Sequence, residues 1–260
     1  MTAATAEVAV WRGDGVQVLR FARPEKKNAL TGAMYRALTD AIEAGDADSS
    51  IAAHIITGSN GIFTAGNDIG DFLSTARGTG DLSQDIVRFI RLLPVIKKPL
   101  IAAVDGPAIG IGTTMLFHCD LVFAAPDATF ATPFLDLGVT PEAASSLLMP
   151  QRMGYARAFA MLVLGDPMSA DDALAAGFVN AIVPGTELEK AALEAARRLA
   201  QKPPEALAIA RRMLRGDTAD ILKRTDEEAS AFRERLRSPE AIEAFTAFLE
   251  KRPPNFGKSA

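Results

Sequence analysis

Up to about residue 185 the chain alternates short apolar runs with segments whose apolar positions recur every three or four residues. Positions 16–21, Val-Gln-Val-Leu-Arg-Phe, follow a Gly13-Asp14-Gly15 turn and read as a strand of alternating character. Thr31 is placed to cap an amphipathic helix reaching about residue 44, with Met34, Leu38 and Ile42 on one face. Positions 52–57 read as a short strand closed by Gly58-Ser59-Asn60-Gly61, and 63–71 as a loop entering a helix. A helix over 82–93 stops at Pro94, followed by a buried strand at 99–104, a loop at 106–112 and a helix at 113–118. Strands follow at 120–124 and 127–131. Ser169 caps a helix that Gly177 terminates, and 179–183 is a last strand. From Glu187 onward only helical signals remain, punctuated by Pro203-Pro204, Gly216 and Pro239.

Alternating strands and helices predict an α/β fold, with a core over residues 1–198 and a helical C-terminal region over 199–260. Phe232, Leu236, Ile242, Phe245 and Leu249 give that region apolar faces, which either cover the core or pack on another subunit.

Composition narrows the function classes. The 260 residues are 48% hydrophobic and 23% charged, the balance of a globular protein. A net charge of −4 gives no sequence-wide basic field for nucleic acid. Cys119 is the one cysteine, which excludes an intrachain disulfide, and with two histidines it leaves no soft-ligand zinc site; no metal is expected. The apolar stretch 100–125 carries Asp105, Gly106, Pro107, Gly110, Gly112, His118 and Asp120, which suits buried strand and loop rather than a membrane span. The first ten residues lack a basic segment before an apolar one, and the chain ends Gly-Lys-Ser-Ala rather than Ser-Lys-Leu. The expectation is a soluble, cytoplasmic protein without nucleic-acid or membrane partners.

Three segments carry candidate chemistry. Phe63-Thr64-Ala65-Gly66-Asn67-Asp68-Ile69 and Asp105-Gly106-Pro107-Ala108-Ile109-Gly110-Ile111-Gly112 each follow an apolar strand and precede a helix. Backbone N–H groups at such a place face outward toward an anion or a polarised oxygen, although glycines also serve tight turns with no further role. The second segment lacks a third glycine or alanine at Met115, and no Gly-Lys-Ser/Thr ending exists, so dinucleotide and P-loop readings fail. No Gly-x-Ser-x-Gly elbow is present. In the third segment, Gly138-Val139-Thr140-Pro141-Glu142-Ala143-Ala144-Ser145-Ser146, Thr140 suits an N-cap and Pro141 the first helical position. That predicts Glu142 in a first helical turn, a place acids favour whether or not they do chemistry. Its apolar neighbours raise its proton affinity and the helix dipole lowers it. His54, His118 and Asp120 read as structural residues, and Asp68 as the cap of the helix after the first loop.

In this order and spacing the three segments resemble the crotonase (enoyl-CoA hydratase/isomerase) superfamily. The resemblance runs from Arg23-Pro24-Glu25-Lys26-Lys27-Asn28-Ala29-Leu30, through Gly177-Phe178-Val179-Asn180, to Ala247-Phe248-Leu249-Glu250-Lys251-Arg252. It implies a spiral of ββα turns, a helical C-terminal region used in trimer assembly (as a trimer or a dimer of trimers), and an acyl-CoA thioester substrate. No cofactor is implied, since coenzyme A enters with the substrate. The resemblance places oxyanion donors at the N–H groups of Asn67 and Ile111. It places coenzyme A and acyl binding at Lys27, Ala29, Leu30, Ala65, Gly66, Asn67, Asp68, Ile69, Gly110 and Phe134, with Lys27 near phosphate.

The departures from the pattern point further. Hydratases of this family carry two glutamates at positions that are Thr114 and Phe134 here. Adding water across a conjugated double bond benefits from two such polar groups. What remains is Glu142, within a Pro141-Glu142-Ala143-Ala144-Ser145-Ser146 run that is similar to the peroxisomal-type Δ3,Δ2-enoyl-CoA isomerases, where one glutamate is the sole acid/base. The resemblance therefore implies conversion of 3-enoyl-CoA to 2-enoyl-CoA, with Asp136 as fallback acid. Hydration or other thioester-enolate chemistry by an Asp136–Glu142 pair is the alternative, and a non-catalytic acyl-CoA binder the third.

Overall fold

The computed structural model describes residues 2–5, 7–76 and 84–258. Ten strands lie among the described residues, in chain order β1 (Thr2–Thr5), β2 (Val8–Gly13), β3 (Val16–Phe21), β4 (Ala53–Thr57), β5 (Leu100–Val104), β6 (Pro107–Ile109), β7 (Leu121–Ala124), β8 (Thr129–Ala131), β9 (Met168–Ser169) and β10 (Ala181–Ile182). They form a large sheet of order β1-β2-β3-β4-β5-β7-β10 and a small one of order β6-β8-β9. The first three strands pair antiparallel, and every later neighbour in the large sheet is parallel.

The two sheets are two walls of one coil. After a strand of the large sheet the chain turns sharply, adds a strand or a single bridge to the small wall, and then enters a helix. Leu30 bridges Asn67, Thr64 bridges Ala108, and β6 continues the wall to β8. Each turn of the coil is thereby stacked on the last through main-chain hydrogen bonds. The result is a spiral of stacked turns followed by a helical C-terminal region.

Eleven α-helices lie among the described residues, in the same order: α1 (Gly32–Ala47), α2 (Ile69–Ala76), α3 (Gln84–Leu92), α4 (Ile111–Thr114), α5 (Ser145–Met153), α6 (Tyr155–Phe159), α7 (Ala170–Ala176), α8 (Gly185–Ala200), α9 (Pro204–Arg215), α10 (Ala219–Leu236) and α11 (Pro239–Leu249). Local caps act where the sequence places them. Thr31 accepts from Met34 N at 3.3 Å, Ser169 accepts from Asp172 N, and Gly177 ends α7 in the left-handed region. Other boundaries move. Pro94 sits inside a 3-10 turn, Leu93–Val95, and the predicted start at Leu82 lies outside the described residues. The helix expected at 113–118 begins earlier, as α4, and tightens into a 3-10 turn over Met115–His118.

Strand β3 forms where the alternation places it and is covered on both faces: every residue but Arg20 is buried. Val16 and Val18 pack with Leu188, Ala192 and Ala196 of α8 on one face, while Leu19 and Phe21 join the main core with Met34, Leu38 and Ile42 of α1. Parallel strands covered on both sides must be apolar on both sides. Gln17 is tolerated there because its amide donates to Ala41 O at 2.9 Å and accepts from Arg12 Nε at 2.7 Å.

The C-terminal helices settle on the body of their own chain. Phe232, Leu236 and Phe245 are buried, and the Phe72 ring lies 5.7 Å from Phe232 and 6.0 Å from Phe245. Helix α9 buries none of its residues, and Met213 and Leu214 are exposed.

Asp120 ties that helix to the sheet. Its carboxylate accepts from Leu100 N at 2.8 Å, Arg211 at 2.9 Å and Arg215 at 3.2 Å, with the two arginine side chains only 10% and 19% exposed. Removing one partner of a buried pair leaves uncompensated charge, at a cost of roughly 3–5 kcal/mol. Asp120→Ala is expected to lose stability of about that size in urea unfolding, with the surface mutation Asp220→Ala as a near-neutral control.

Candidate active site

The site grows from the places where consecutive turns of the coil touch. Asn28, fully buried, donates through Nδ2 to Ser59 O and Ile62 O, and its carbonyl accepts from Thr64 Oγ1 at 2.6 Å. This fixes the loop between β4 and α2. Gly66 takes φ +87, and a Cβ there would stand 2.9 Å from Ile109 O, so only glycine permits the approach of the first loop to the second. Leu30 N donates to Gly66 O and Asp68 N to Leu30 O, a parallel-bridge pattern that turns the Asn67 N–H to the opposite side. Gly110, at φ +57, precedes α4 and accepts from both Thr113 N and Thr114 N. Ile111 is the first residue of α4, where an N–H has no partner inside the helix. Among the described residues neither the Asn67 nor the Ile111 N–H donates to a main-chain acceptor.

Gly66, Asn67, Gly110 and Phe134 line a slot of about 50 Å³. The slot opens to a groove of about 590 Å³ lined by Ala29, Ala65, Asn67, Asp68 and Ile69 on one side and by Phe248, Leu249 and Arg252 of the C-terminal segment on the other. Lys26 lines this groove; Lys27 is exposed beside it, at a left-handed φ of 53°. Leu30 lies in the core rather than in the groove and holds the first loop by its backbone. Asp68 accepts from Arg23 Nη1 at 2.8 Å and from Gly70 N at 2.9 Å. Burial works against its ionised form, but the Arg23 and Gly70 donors prevail and hold its pKa below the ordinary value.

Glu142 lies deeper. It is 4% exposed and faces a void of about 10 Å³ with Phe72, Ile86, Val87, Ile90, Ala229 and Phe232. Phe72 and Phe232 line both this void and the slot, so the carboxyl stands behind two rings. Its Oε1 is buried without a hydrogen-bond partner. Burial first, and the charge of Glu228 second, push its pKa up to about 8.

The local setting of Glu142 corrects the first-turn expectation. Helix α5 starts only at Ser145, because Ala143 and Ala144 both take left-handed φ values, 56° and 55°. Such conformations cost of order 1–3 kcal/mol each and persist only when the surroundings over-determine them. Here His118 Nε2 lies 2.7 Å from Ala143 O. Burial pulls the His118 pKa down to about 4, so near neutrality the ring is uncharged and its Nε2–H donates to that carbonyl. His118 thus supports the turn that presents Glu142.

Two further residues were not singled out by sequence. Tyr35, buried in α1, donates to Asn67 Oδ1 at 2.5 Å, and burial with the nearby charge of Glu142 raises its pKa well above normal. Glu228 on α10 is 6% exposed. A tyrosine on the buried face of an amphipathic helix signals a hydroxyl in need of a partner, whereas nothing in the Glu227-Glu228 pair marks either as buried. Asp136 lines the groove, its Oδ2 lying against Gly165, and does not share a cavity with Glu142. Thr114 is fully buried with its Oγ1 unpartnered. Among the described residues no three metal-ligating side chains converge, and no helix is long and apolar enough to cross a membrane.

A coil of this form, with paired strand-to-helix loops over a slot, is the architecture of the crotonase enzymes. Residues 12–259 match the family model described as enoyl-CoA hydratase/isomerase, and the chain belongs to that family. It is 33% identical over 244 residues to enoyl-CoA delta isomerase 2 of Rattus norvegicus, covering 92% of this chain and 62% of that protein. It is 31% identical over 252 residues to 2,3-dehydroadipyl-CoA hydratase of Escherichia coli (strain K12), covering 96% and 98%. Among solved structures, Pseudomonas aeruginosa OdaA superposes with a TM-score of 0.90 at 42% identity, covering 94% of this chain and 99% of that one. The chain spans about three-fifths of the length of the rat isomerase it matches.

The raised pKa has a stability consequence. The unfolded chain ionises Glu142 near its ordinary 4.5, while the folded chain keeps the proton up to about 8. This contribution is therefore whole below pH 4.5 and is lost as pH rises toward 8. Glu142→Gln, which cannot ionise, is expected to match the parent in Tm near pH 4.5 and to exceed it by several degrees at pH 8.

Proposed function

We propose that the protein is an acyl-CoA isomerase that converts 3-enoyl-CoA to 2-enoyl-CoA, with Glu142 as its one acid/base. The observation that carries this reading is a buried carboxyl with an unpartnered Oε1 behind a slot lined by Asn67, whose main-chain N–H is unpaired, with the unpaired N–H of Ile111 one residue beyond the Gly110 that also lines it. The positions that would supply the hydratase pair hold Thr114 and Phe134, which offer no proton-transferring group.

The chemistry needs one proton moved. Ionised Glu142 takes a proton from C2; the C–H electrons enter the conjugated system and negative charge collects on the thioester oxygen. The N–H groups of Asn67 and Ile111 stabilise that oxygen, and loss of one such donor typically costs about 10²–10³-fold in rate. The protonated Glu142 returns the same proton at C4, and the double bond comes to rest between C2 and C3. A carboxyl with a raised pKa is a stronger base toward a weakly acidic C–H than an ordinary one. The aromatic rings beside it exclude water that would otherwise exchange with the held proton.

The groove takes coenzyme A as part of the substrate, with no separate cofactor. Lys26 and Lys27 stand at its rim for phosphate. The exposed Met213 and Leu214 of α9 are the surface through which copies of this chain would assemble as trimers. The name of the rat relative supports isomerisation; that of the Escherichia coli relative keeps hydration, with Asp136 as second acid, as the competing reading.

Purified protein given a 3-enoyl-CoA is expected to generate conjugated-thioester absorbance with no change in mass. Water addition to a 2-enoyl-CoA would instead establish the hydratase reading. Glu142→Gln is expected to lose at least about 10²-fold in kcat while keeping thioester affinity within a few-fold; retained turnover would sink the assignment. Because the base acts ionised, kcat/KM is expected to rise with pH and level off above about 8.

A further inference from the structure

Glu142 occupies one end of the turn 142–146, and the other end is fastened to α10. Ser146 N donates to Glu228 Oε1 at 2.9 Å and Ser146 Oγ donates to the same oxygen at 2.5 Å. Arg224, one turn earlier on α10, donates from Nη1 to Ser146 Oγ at 3.1 Å. Glu228 is 6% exposed, and its Oε2 has no partner, as Glu142 Oε1 has none. Ala229, the next residue on α10, lines the same small void as Glu142. Two buried carboxyl groups thus stand at the two ends of a single strained turn, Glu228 held by the Ser146 donors and Glu142 with its Oε1 unpartnered.

Such a pair divides its charge. Burial raises the proton affinity of both, but only Glu228 has donors to offset it, the Ser146 N–H and hydroxyl and the Ala144 N–H, so Glu228 gives up its proton first and Glu142 keeps its own. Among the described residues, the other elements around Glu142 add no cation against it. α1 contributes the Tyr35 phenol, the turn Met115–His118 contributes neutral His118, and α2 and α3 contribute Phe72, Ile86 and Ile90. Arg224, 40% exposed, offsets Glu228 from the far side of Ser146.

We propose that Glu228 is the positioning residue that sets the base strength of Glu142, its negative charge being fixed in place by the Ser146 N–H and hydroxyl. This rests on the reading of Glu142 as the acid/base. A fixed anion there makes Glu142 hold its proton more firmly between C2 and C4 and attack the C2–H more strongly once ionised. The same charge reduces the fraction ionised at low pH. Base strength and midpoint are therefore coupled, a signature that a merely structural residue would not show.

The test is the pH profile of Glu228→Gln, in which the amide oxygen can still accept from Ser146. Its kcat/KM midpoint is expected to fall by about one pH unit, and its high-pH plateau to fall roughly three-fold, about half of the tenfold change in basicity. Glu228→Asp, which restores the charge, is expected to restore most of the midpoint. Arg224→Met, at an exposed position, is expected to raise it. A Glu228→Gln profile scaled down equally at every pH, or an Arg224→Met midpoint unmoved or lowered, would overturn the proposal. The infrared carboxyl band of protonated Glu142, assigned by its loss in Glu142→Gln, reads the same titration in ligand-free protein without turnover. A band midpoint lowered in Glu228→Gln while no isomerisation is found would uphold this inference and discard the isomerase reading; an unmoved band would discard the inference whatever the enzyme catalyses.

Discussion

An ionisable carboxyl enclosed by Phe72, Ile86, Ile90 and Phe232, with its Oε1 given no hydrogen bond, is held against its own solvation. Much of the surrounding structure exists in relation to that placement. Burying a charge without partners is so unfavourable that the group keeps its proton instead, and here it does so up to about 8. The turn that carries Glu142 passes through two left-handed alanines, a conformation sustained by His118 on one side and by Glu228 of α10 on the other. Helices α10 and α11 complete the apolar enclosure through Phe232 and Phe245. The C-terminal region is part of the wall of the site.

The spiral supplies the opposite element. Stacking successive turns through Leu30–Asn67 and Thr64–Ala108 consumes the main-chain groups on one edge of each loop and leaves the Asn67 N–H turned the other way. Gly66 allows the loops to approach within contact of Ile109 O, which brings the start of α4 alongside. Donors for an oxygen and a carboxyl for a proton thus come from different physical sources. The donors are by-products of main-chain pairing, and the carboxyl is imposed by side-chain packing. Substitutions in loops can alter one with little effect on the other, which suits a fold that hosts more than one thioester reaction.

What was legible in the sequence follows the same division. Caps at Thr31 and Ser169, the stop at Gly177 and the glycine loops are decided within a few residues, and the chain adopts them. The crotonase spiral was legible because its motifs recur in order along nearly the whole chain. The start of α5 was not, because Thr140 and Pro141 favour a helix locally while the left-handed Ala143 and Ala144 delay it to Ser145. The contact to His118 that supports them comes from an earlier turn of the coil. Burial on both faces of β3 depended on α8, far along the chain. Tyr35 and Glu228 were missed for the same reason, since each acquires its meaning only from a residue in another layer.

Family membership leaves the reaction undecided, since the matched relatives carry the names of both isomerases and hydratases at similar identity. What bears on the choice is how many proton-transferring groups stand at the slot or directly behind its rings. Phe134 lines it with a ring, Thr114 is buried with its hydroxyl unpartnered, and Asp136 faces the outer groove beside Gly165. Water added across a double bond must be oriented, deprotonated and replaced by a proton at the neighbouring carbon, which one enclosed carboxyl behind two aromatic rings is poorly placed to do. A proton moved between two carbons of one substrate asks only that a single group keep it for the interval. A carboxyl whose proton affinity is raised by burial and by a fixed neighbouring charge is suited to that task, and a water-filled site with two solvated acids is not.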